Sequence, residues 1–281
     1  MGPLRHRTYN EVAGGDTSGL GVQVAAQRQR VAHRLRDVAR VVAVVSGKGG
    51  VGKTFVTAAL ARGAAPHFQK GVGVLDGDLK SPTAARLLAA SGPLRIDDAG
   101  VLPATGEHGI KVMSTELLLD EGAPLRWKGP ATEEFLWREI LETGALREFL
   151  SDVVWGGLDL LLVDMPADAD RLGDLAALVP SLTGAVFVTI PSEESRRSVE
   201  RAMRSARDAN VRMLGVVENM SGYLCVDCGR SAPLFEGNAG DALARAFGVP
   251  LLARLPLAPP GARASLHQLS ELTSAFFASL A

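Results

Sequence analysis

The chain has 281 residues, 47% of them hydrophobic and 22% charged, which is ordinary for a globular α/β protein with a sizeable core. A net charge of −1 argues against a broad phosphate-neutralising face for DNA or RNA. No apolar run approaches the length of a transmembrane span, and two cysteines in so long a chain do not make a disulfide scaffold, so the expected location is the cytoplasm.

In chain order, residues 1–21 lack the apolar stretch of a signal peptide and read as a flexible leader. The rest, 22–281, reads as a single domain. Residues 22–38 interleave apolar and basic residues as a helix. Arg28, Arg30, Arg34 and Arg36 read as an exposed helical face rather than a DNA contact. Residues 41–45 (VVAVV) form a continuous β-branched run, the pattern of a strand buried on both faces. Similar runs lie at 72–75, 158–163, 184–190, 213–217 and 251–255. Residues 91–109, rich in Gly, Pro and Asp, predict a loop or short hairpin before Ile110–Met113. Helical patterns fall between most of the strands. Over 193–209, Val199, Ala202, Met203 and Ala206 share one face, with Glu193/Arg197 and Glu200/Arg204 at i, i+4 outside. Segment 265–280 is amphipathic but has no Lys or Arg, so it is expected to pack on the sheet rather than lie on a membrane. Together these predict a mostly parallel central sheet with helices on both faces.

The stretch 46–54 (SGKGGVGKT) follows the first strand and precedes an apolar helix over 55–62. Gly47, Gly52, Lys53 and Thr54 satisfy the P-loop pattern. Backbone N–H groups from Gly47 through Thr54, including Gly49, Gly50 and Val51, are expected to close around phosphates at a helix N-terminus. Lys53 is expected on the β/γ-phosphates and Thr54 on Mg²⁺, so the cofactors are ATP and Mg²⁺. Acidic residues follow two later strands, where a parallel sheet places its ligands: Asp76 and Asp78 after VGVL, and Asp164 after LLLV. Asp164 fits a water-mediated Mg²⁺ ligand and Asp78 a carboxylate that orients the attacking water. Helix N-capping is the alternative for each.

Lys48 inside KGGVGKT resembles the deviant Walker A class, which includes ParA, MinD, the nitrogenase iron protein and the Mrp/ApbC carriers. That resemblance implies a homodimer in which Lys48 reaches the partner's nucleotide. From Val41 to Leu257 the chain is similar to the Mrp/ApbC iron–sulfur carrier ATPases. The supporting strings include GVLDGDLKSPTAARLL, GIKVMST, RWKGP at 126–130, LDLLLVDMP and LGVVENMSGYLCVDCG at 214–229. By this resemblance Asn219 reads the adenine edge, though Asn-Met-Ser-Gly is also good turn chemistry. In the loop 222–231, Cys225 and Cys228 supply two thiolates. Two copies would supply four, enough for a shared [4Fe–4S] cluster or a Zn ion. A redox dithiol is a further reading of CxxC. Client apoproteins would receive the cluster, and neither nucleic acid nor membrane is expected as a partner. A ParA/MinD-type positioning ATPase and an accessory ATPase that delivers no cluster are the rival functions.

The chain departs from the family pattern in three places. After Asp164 the family's glycine-rich PPGTGD is replaced by Pro166-Ala167-Asp168-Ala169-Asp170-Arg171. Lost glycines and added negative charge beside a triphosphate predict slow hydrolysis. Lys80 stands where an aromatic is common, and Ala258 where an Asp usually follows the last strand.

Overall fold

The computed structural model describes residues 20–79, 81–92, 94–118, 144–167, 171–225, 228, 230–258 and 263–281. RWKGP, Lys80, Asp168, Asp170 and nearly all of the expected leader lie outside the described residues.

The helices are α1 (Leu20–Leu35), α2 (Lys53–Ala64), α3 (Ala84–Leu87), α4 (described over 144–152), α5 (Arg171–Leu178), α6 (Glu193–Asp208), α7 (Ala239–Phe247) and α8 (Arg263–Leu280). The strands are β1 (Val41–Ser46), β2 (Val72–Asp76), β3 (Arg95–Asp97), β4 (Gly100–Leu102), β5 (Ala104–Thr105), β6 (Lys111–Met113), β7 (Leu160–Asp164), β8 (Leu182–Thr189), β9 (Met213–Leu224), β10 (Ser231–Ala232) and β11 (Leu251–Leu257).

The main sheet runs β10-β9-β8-β1-β7-β2-β6-β5, with β11 also paired to β9. Its central pairs are parallel; only the short β5 and β10 run antiparallel to their neighbours. The apolar runs are continuous because the sheet has a core on each face. Val41, Ala43 and Val45 of β1 join one core, with α1, α4, α5, α6 and α7 contributing Leu35, Leu150, Leu175, Met203 and Leu243. Val42 and Val44 join the other, with Leu60 of α2, Ala85 of α3 and Phe276 of α8. Each such large side chain removed from water stabilises the fold by about 1.5–3 kcal/mol.

The 193–209 pattern is α6. Val199, Ala202, Met203 and Ala206 are buried, Glu193 pairs with Arg197, and Glu200 pairs with Arg204. Ser192 caps the helix by accepting from Ser195 N, an interaction worth about 1 kcal/mol. The Gly/Pro/Asp-rich 91–109 holds the β3–β4 hairpin and β5. Arg28 and Arg30 on α1 and Arg36 just after it are exposed, whereas Arg34 donates to the Ser151 and Ala99 carbonyls. Segment 265–280 does pack on the sheet, where Leu272 and Phe276 are fully buried. The 213–217 run is only the start of a strand: β9 continues through the polar Glu218-Asn219 to Leu224. Those buried polar groups find partners from other parts of the chain. Glu218 accepts from Gly240 N at the start of α7 (2.7 Å) and lies 3.4 Å from the Arg254 guanidinium.

Candidate nucleotide site and cysteine hairpin

The loop between β1 and α2 lies at the C-terminal edge of the parallel strands. Gly52, the N-cap of α2, has φ 77° and no side-chain cap. This left-handed conformation suits glycine, and the first-turn amides are left for an anion. The cleft over the loop measures about 340 Å³ and is lined by Lys48, Lys53, Thr54, Phe55, Asp78 and Ala167, among others. Lys48 is half-buried, and its carbonyl accepts from Ser46 Oγ (3.0 Å).

Asp164 ends β7 beneath this loop and is wholly buried. Its Oδ2 accepts from Thr54 Oγ1 (2.6 Å) and its Oδ1 from Thr57 Oγ1 (2.8 Å). Lys53 Nζ lies 2.8 Å from Oδ1. That ion pair lacks the angle of a hydrogen bond, so among the described residues the buried ammonium keeps its donors unspent. An unspent buried ammonium, uncapped helix amides and hard oxygen donors from Thr54 and Asp164 fit a Mg²⁺–triphosphate. Among the described residues the hydroxyls of α2, rather than helix N-terminal amides, donate to the Asp164 carboxylate.

Of the two acidic residues at the C-terminal end of β2, the structure buries Asp76, which ends the strand and pairs in register with Asp164 across β2 and β7. Its Oδ2 accepts from Thr83 N, Ala84 N and Ser114 Oγ, each at 3.0 Å, so Asp76 anchors the start of α3. Burial, then the neighbouring Asp164, push its pKa from the ordinary 3.8 up to about 7, against the lowering by Ala84 N, Ser114 and Lys53. Asp78 is half-buried on the cleft wall, with Oδ1 accepting from Ser81 N (3.3 Å). Thr57 and Ser114 belong to the site and escaped the sequence reading. A hydroxyl one turn after Lys53 on the same helix face was the available signal for Thr57. For Ser114 there was none beyond its place at a strand end.

The raised Asp76 has a measurable consequence. Between its ordinary value and about 7 the folded state binds more protons than the unfolded state, so stability falls as pH rises. The contribution is fully present below the ordinary carboxylate value and is lost as pH rises through 7. In chelated, nucleotide-free protein, the urea midpoint of wild type should drop between pH 5 and pH 8. Asp76→Asn should flatten that part of the slope; an unchanged slope would show that Asp76 is ionised throughout.

The remaining predicted residues lie along β9. Asn219 is buried and its Nδ2 donates to Val51 O in the P-loop (2.8 Å). Six residues on, Cys225 follows the end of β9, half-buried, with its N–H donating to Arg230 O (2.9 Å). Cys228 is exposed on the same β9–β10 turn. No group of three metal-ligating His, Cys, Asp or Glu side chains occurs among the described residues.

Residues 37–274 match the family described as "ParA: NUBPL iron-transfer P-loop NTPase". The chain belongs to this family. It is 39% identical over 253 residues to the "iron-sulfur cluster carrier protein" of Saccharolobus solfataricus, covering 89% of this chain and 82% of that one. It is 38% identical over 231 residues to the "cytosolic Fe-S cluster assembly factor NUBP2" of Bos taurus, covering 80% and 82%. Among solved structures, a nucleotide-binding protein from Archaeoglobus fulgidus in complex with ADP superposes with a TM-score of 0.67 at 31% identity, covering 89% of this chain and 93% of that one. The cell-division ATPase MinD of Pyrococcus furiosus aligns with a TM-score of 0.56 at 20% identity, covering 87% and 100%, and shares the fold. The Mrp/ApbC resemblance is therefore correct, and the chain has the mostly parallel P-loop fold expected of that family. No helix among the described residues is long and apolar enough to cross a membrane.

Proposed function

We propose that this chain is a cytoplasmic, ATP-dependent iron–sulfur cluster carrier that works as a homodimer. Residues 22–281 act as one P-loop domain, preceded by a leader. ATP with Mg²⁺ occupies the cleft over residues 47–54. Thr54 and Asp164 hold the metal, Lys53 the β/γ-phosphates, and Asp78 orients the attacking water. Lys48 reaches the partner copy's nucleotide, and Asn219 turns from Val51 to the adenine edge. The cargo is a [4Fe–4S] cluster bridged by Cys225 and Cys228 of two copies and passed to client apoproteins.

One observation carries the reading: a single strand runs from the P-loop brace at Asn219 to a surface turn bearing the chain's two cysteines. The chain's full thiolate supply is two, and a cubane needs four, so a second copy completes the set. Exposed apolar side chains flank the turn. Tyr223 pairs in register with Leu257 on one side and Ala232 on the other, and Leu234 and Phe235 follow β10. A dimer would cover such a patch.

Anaerobic iron and sulfide reconstitution tests this directly. One brown [4Fe–4S] cluster per two chains is expected, and stoichiometric zinc without iron would replace the cluster by a structural ion. Light scattering with Mg-ATP should show association that Lys48→Ala abolishes. Equal association in both proteins would refute the cross-dimer lysine. Slow hydrolysis is expected from the altered 166–171 segment. Asp168→Gly with Asp170→Gly should raise turnover by about tenfold, the effect of relieving roughly 1.4 kcal/mol in the transition state. Unchanged turnover would show that these carboxylates do not restrain the reaction.

A further inference from the structure

β9 meets the P-loop at one point and the cysteine turn at its end, and its backbone is irregular between them. Asn219 Nδ2 donates to Val51 O. A Cβ on Gly52 would lie 2.2 Å from that same nitrogen and 3.7 Å from Met220 Cε. Asn219 and Met220 therefore sit directly against the loop that would receive phosphate. From the pair Leu255–Asn219 to the pair Leu257–Tyr223, β11 advances two residues while β9 advances four, so β9 bulges. Met220 lies in this bulge at φ 52°, a left-handed conformation that an unbranched non-glycine residue adopts at a cost. Gly222, two residues on, touches β10: a Cβ there would lie 2.6 Å from Ser231 Oγ and 2.8 Å from Ala232 O. Cys225 follows three residues later, tied to Arg230. Side-chain contact at Val51 and Gly52, then strand pairing along β9, thus lead from the P-loop to Cys225.

We propose that the Met220–Gly222 bulge is a mechanical link between the P-loop and the cysteine turn. Phosphate entering the loop moves Val51 and Gly52, which bear on Asn219 and Met220. The bulge absorbs the motion by changing its backbone angles and passes it to Gly222 and β10. Strained residues held by their surroundings are suited to such switching between two arrangements. Met220 and Asn219 act here as positioning residues. The link rests on reading the cleft as a nucleotide site.

Hydrogen–deuterium exchange over residues 221–232, in metal-free protein with and without Mg-ATP, tests the link, with ATP binding measured separately by calorimetry. In wild type, ATP should change exchange of this segment by about fivefold or more, the scale of ordinary coupling between sites. Met220→Gly, which suits the left-handed angle and frees the bulge, should still bind ATP but lose the change at the cysteine turn. Asn219→Ala, whose side chain is also assigned to the adenine edge, should lose it too when compared at Mg-ATP concentrations that calorimetry shows to be saturating. ATP binding by wild type with unchanged exchange overturns the link alone. A full response retained in Met220→Gly and Asn219→Ala overturns it as well. Failure of wild type to bind ATP overturns the nucleotide reading and the link with it.

Discussion

Lys53→Ala should lose ATP binding and folding stability together. The Lys53 side chain is 6% exposed and its ammonium stands 2.8 Å from a fully buried Asp164, beside a buried Asp76. Removing one partner of a buried pair leaves an uncompensated charge and costs about 3–5 kcal/mol. The Thr54 and Thr57 hydroxyls still solvate Asp164, so the lower end of that range is expected. Lys53 also lowers the Asp76 pKa, so its loss drives that carboxyl further up. The variant's deficit should therefore grow from pH 5 to pH 8, as the Asp76 carboxyl is asked to ionise without a cation. For binding, a charge-assisted contact to phosphate worth about 2–3 kcal/mol corresponds to roughly 100-fold in Kd. Calorimetric titration with Mg-ATP and urea unfolding at both pH values measure the two effects. An unchanged Kd in a folded variant would remove the P-loop assignment. Undiminished stability would mean that the Lys53–Asp164 contact is not formed without nucleotide.

The second large effect is expected at the cysteines. Cys225→Ala and Cys228→Ala should each abolish cluster binding as completely as the double substitution. In a two-fold dimer each substitution removes one thiolate per chain, hence two of four ligands, and a cubane held by two thiolates does not persist. The two positions differ in setting: Cys225 is half-buried and tied by its backbone to Arg230, while Cys228 is exposed. Cys228 is then the thiol that meets solvent and an incoming client first, so it should be alkylated faster in the metal-free protein. Mg-ATP affinity of the metal-free variants should stay within about threefold of wild type, because the substitutions are remote from the cleft. Iron analysis and visible absorbance after anaerobic reconstitution decide the matter. A graded loss, with each single variant keeping half the iron of wild type, would mean that the cysteines do not share one bridged centre.

Sequence alone determined those features whose chemistry is written in neighbouring residues. SGKGGVGKT after VVAVV defines a phosphate loop because the glycines, the lysine and the helix start are consecutive. Continuous apolar runs define a two-faced parallel sheet because every residue in them must be buried. CxxC gives two thiolates on one turn for the same local reason. Tertiary structure decided whatever depends on strands meeting. Asp76 rather than Asp78 became the buried partner of Asp164, because β2 lies in register beside β7. Burial and that pairing push the Asp76 pKa up, and the Ser114 hydroxyl, arriving from the end of β6, opposes them. Thr57 joined the site because α2 lies over the end of β7. The extent of β9 was decided in the same way. Glu218 and Asn219 interrupt the apolar pattern, and burying them inside a strand costs free energy unless each finds a partner. Gly240 N and Arg254 supply partners for Glu218, and Val51 O supplies one for Asn219. Those partners are distant in the chain, so only the folded protein shows that the P-loop and the cysteine turn are joined by one strand.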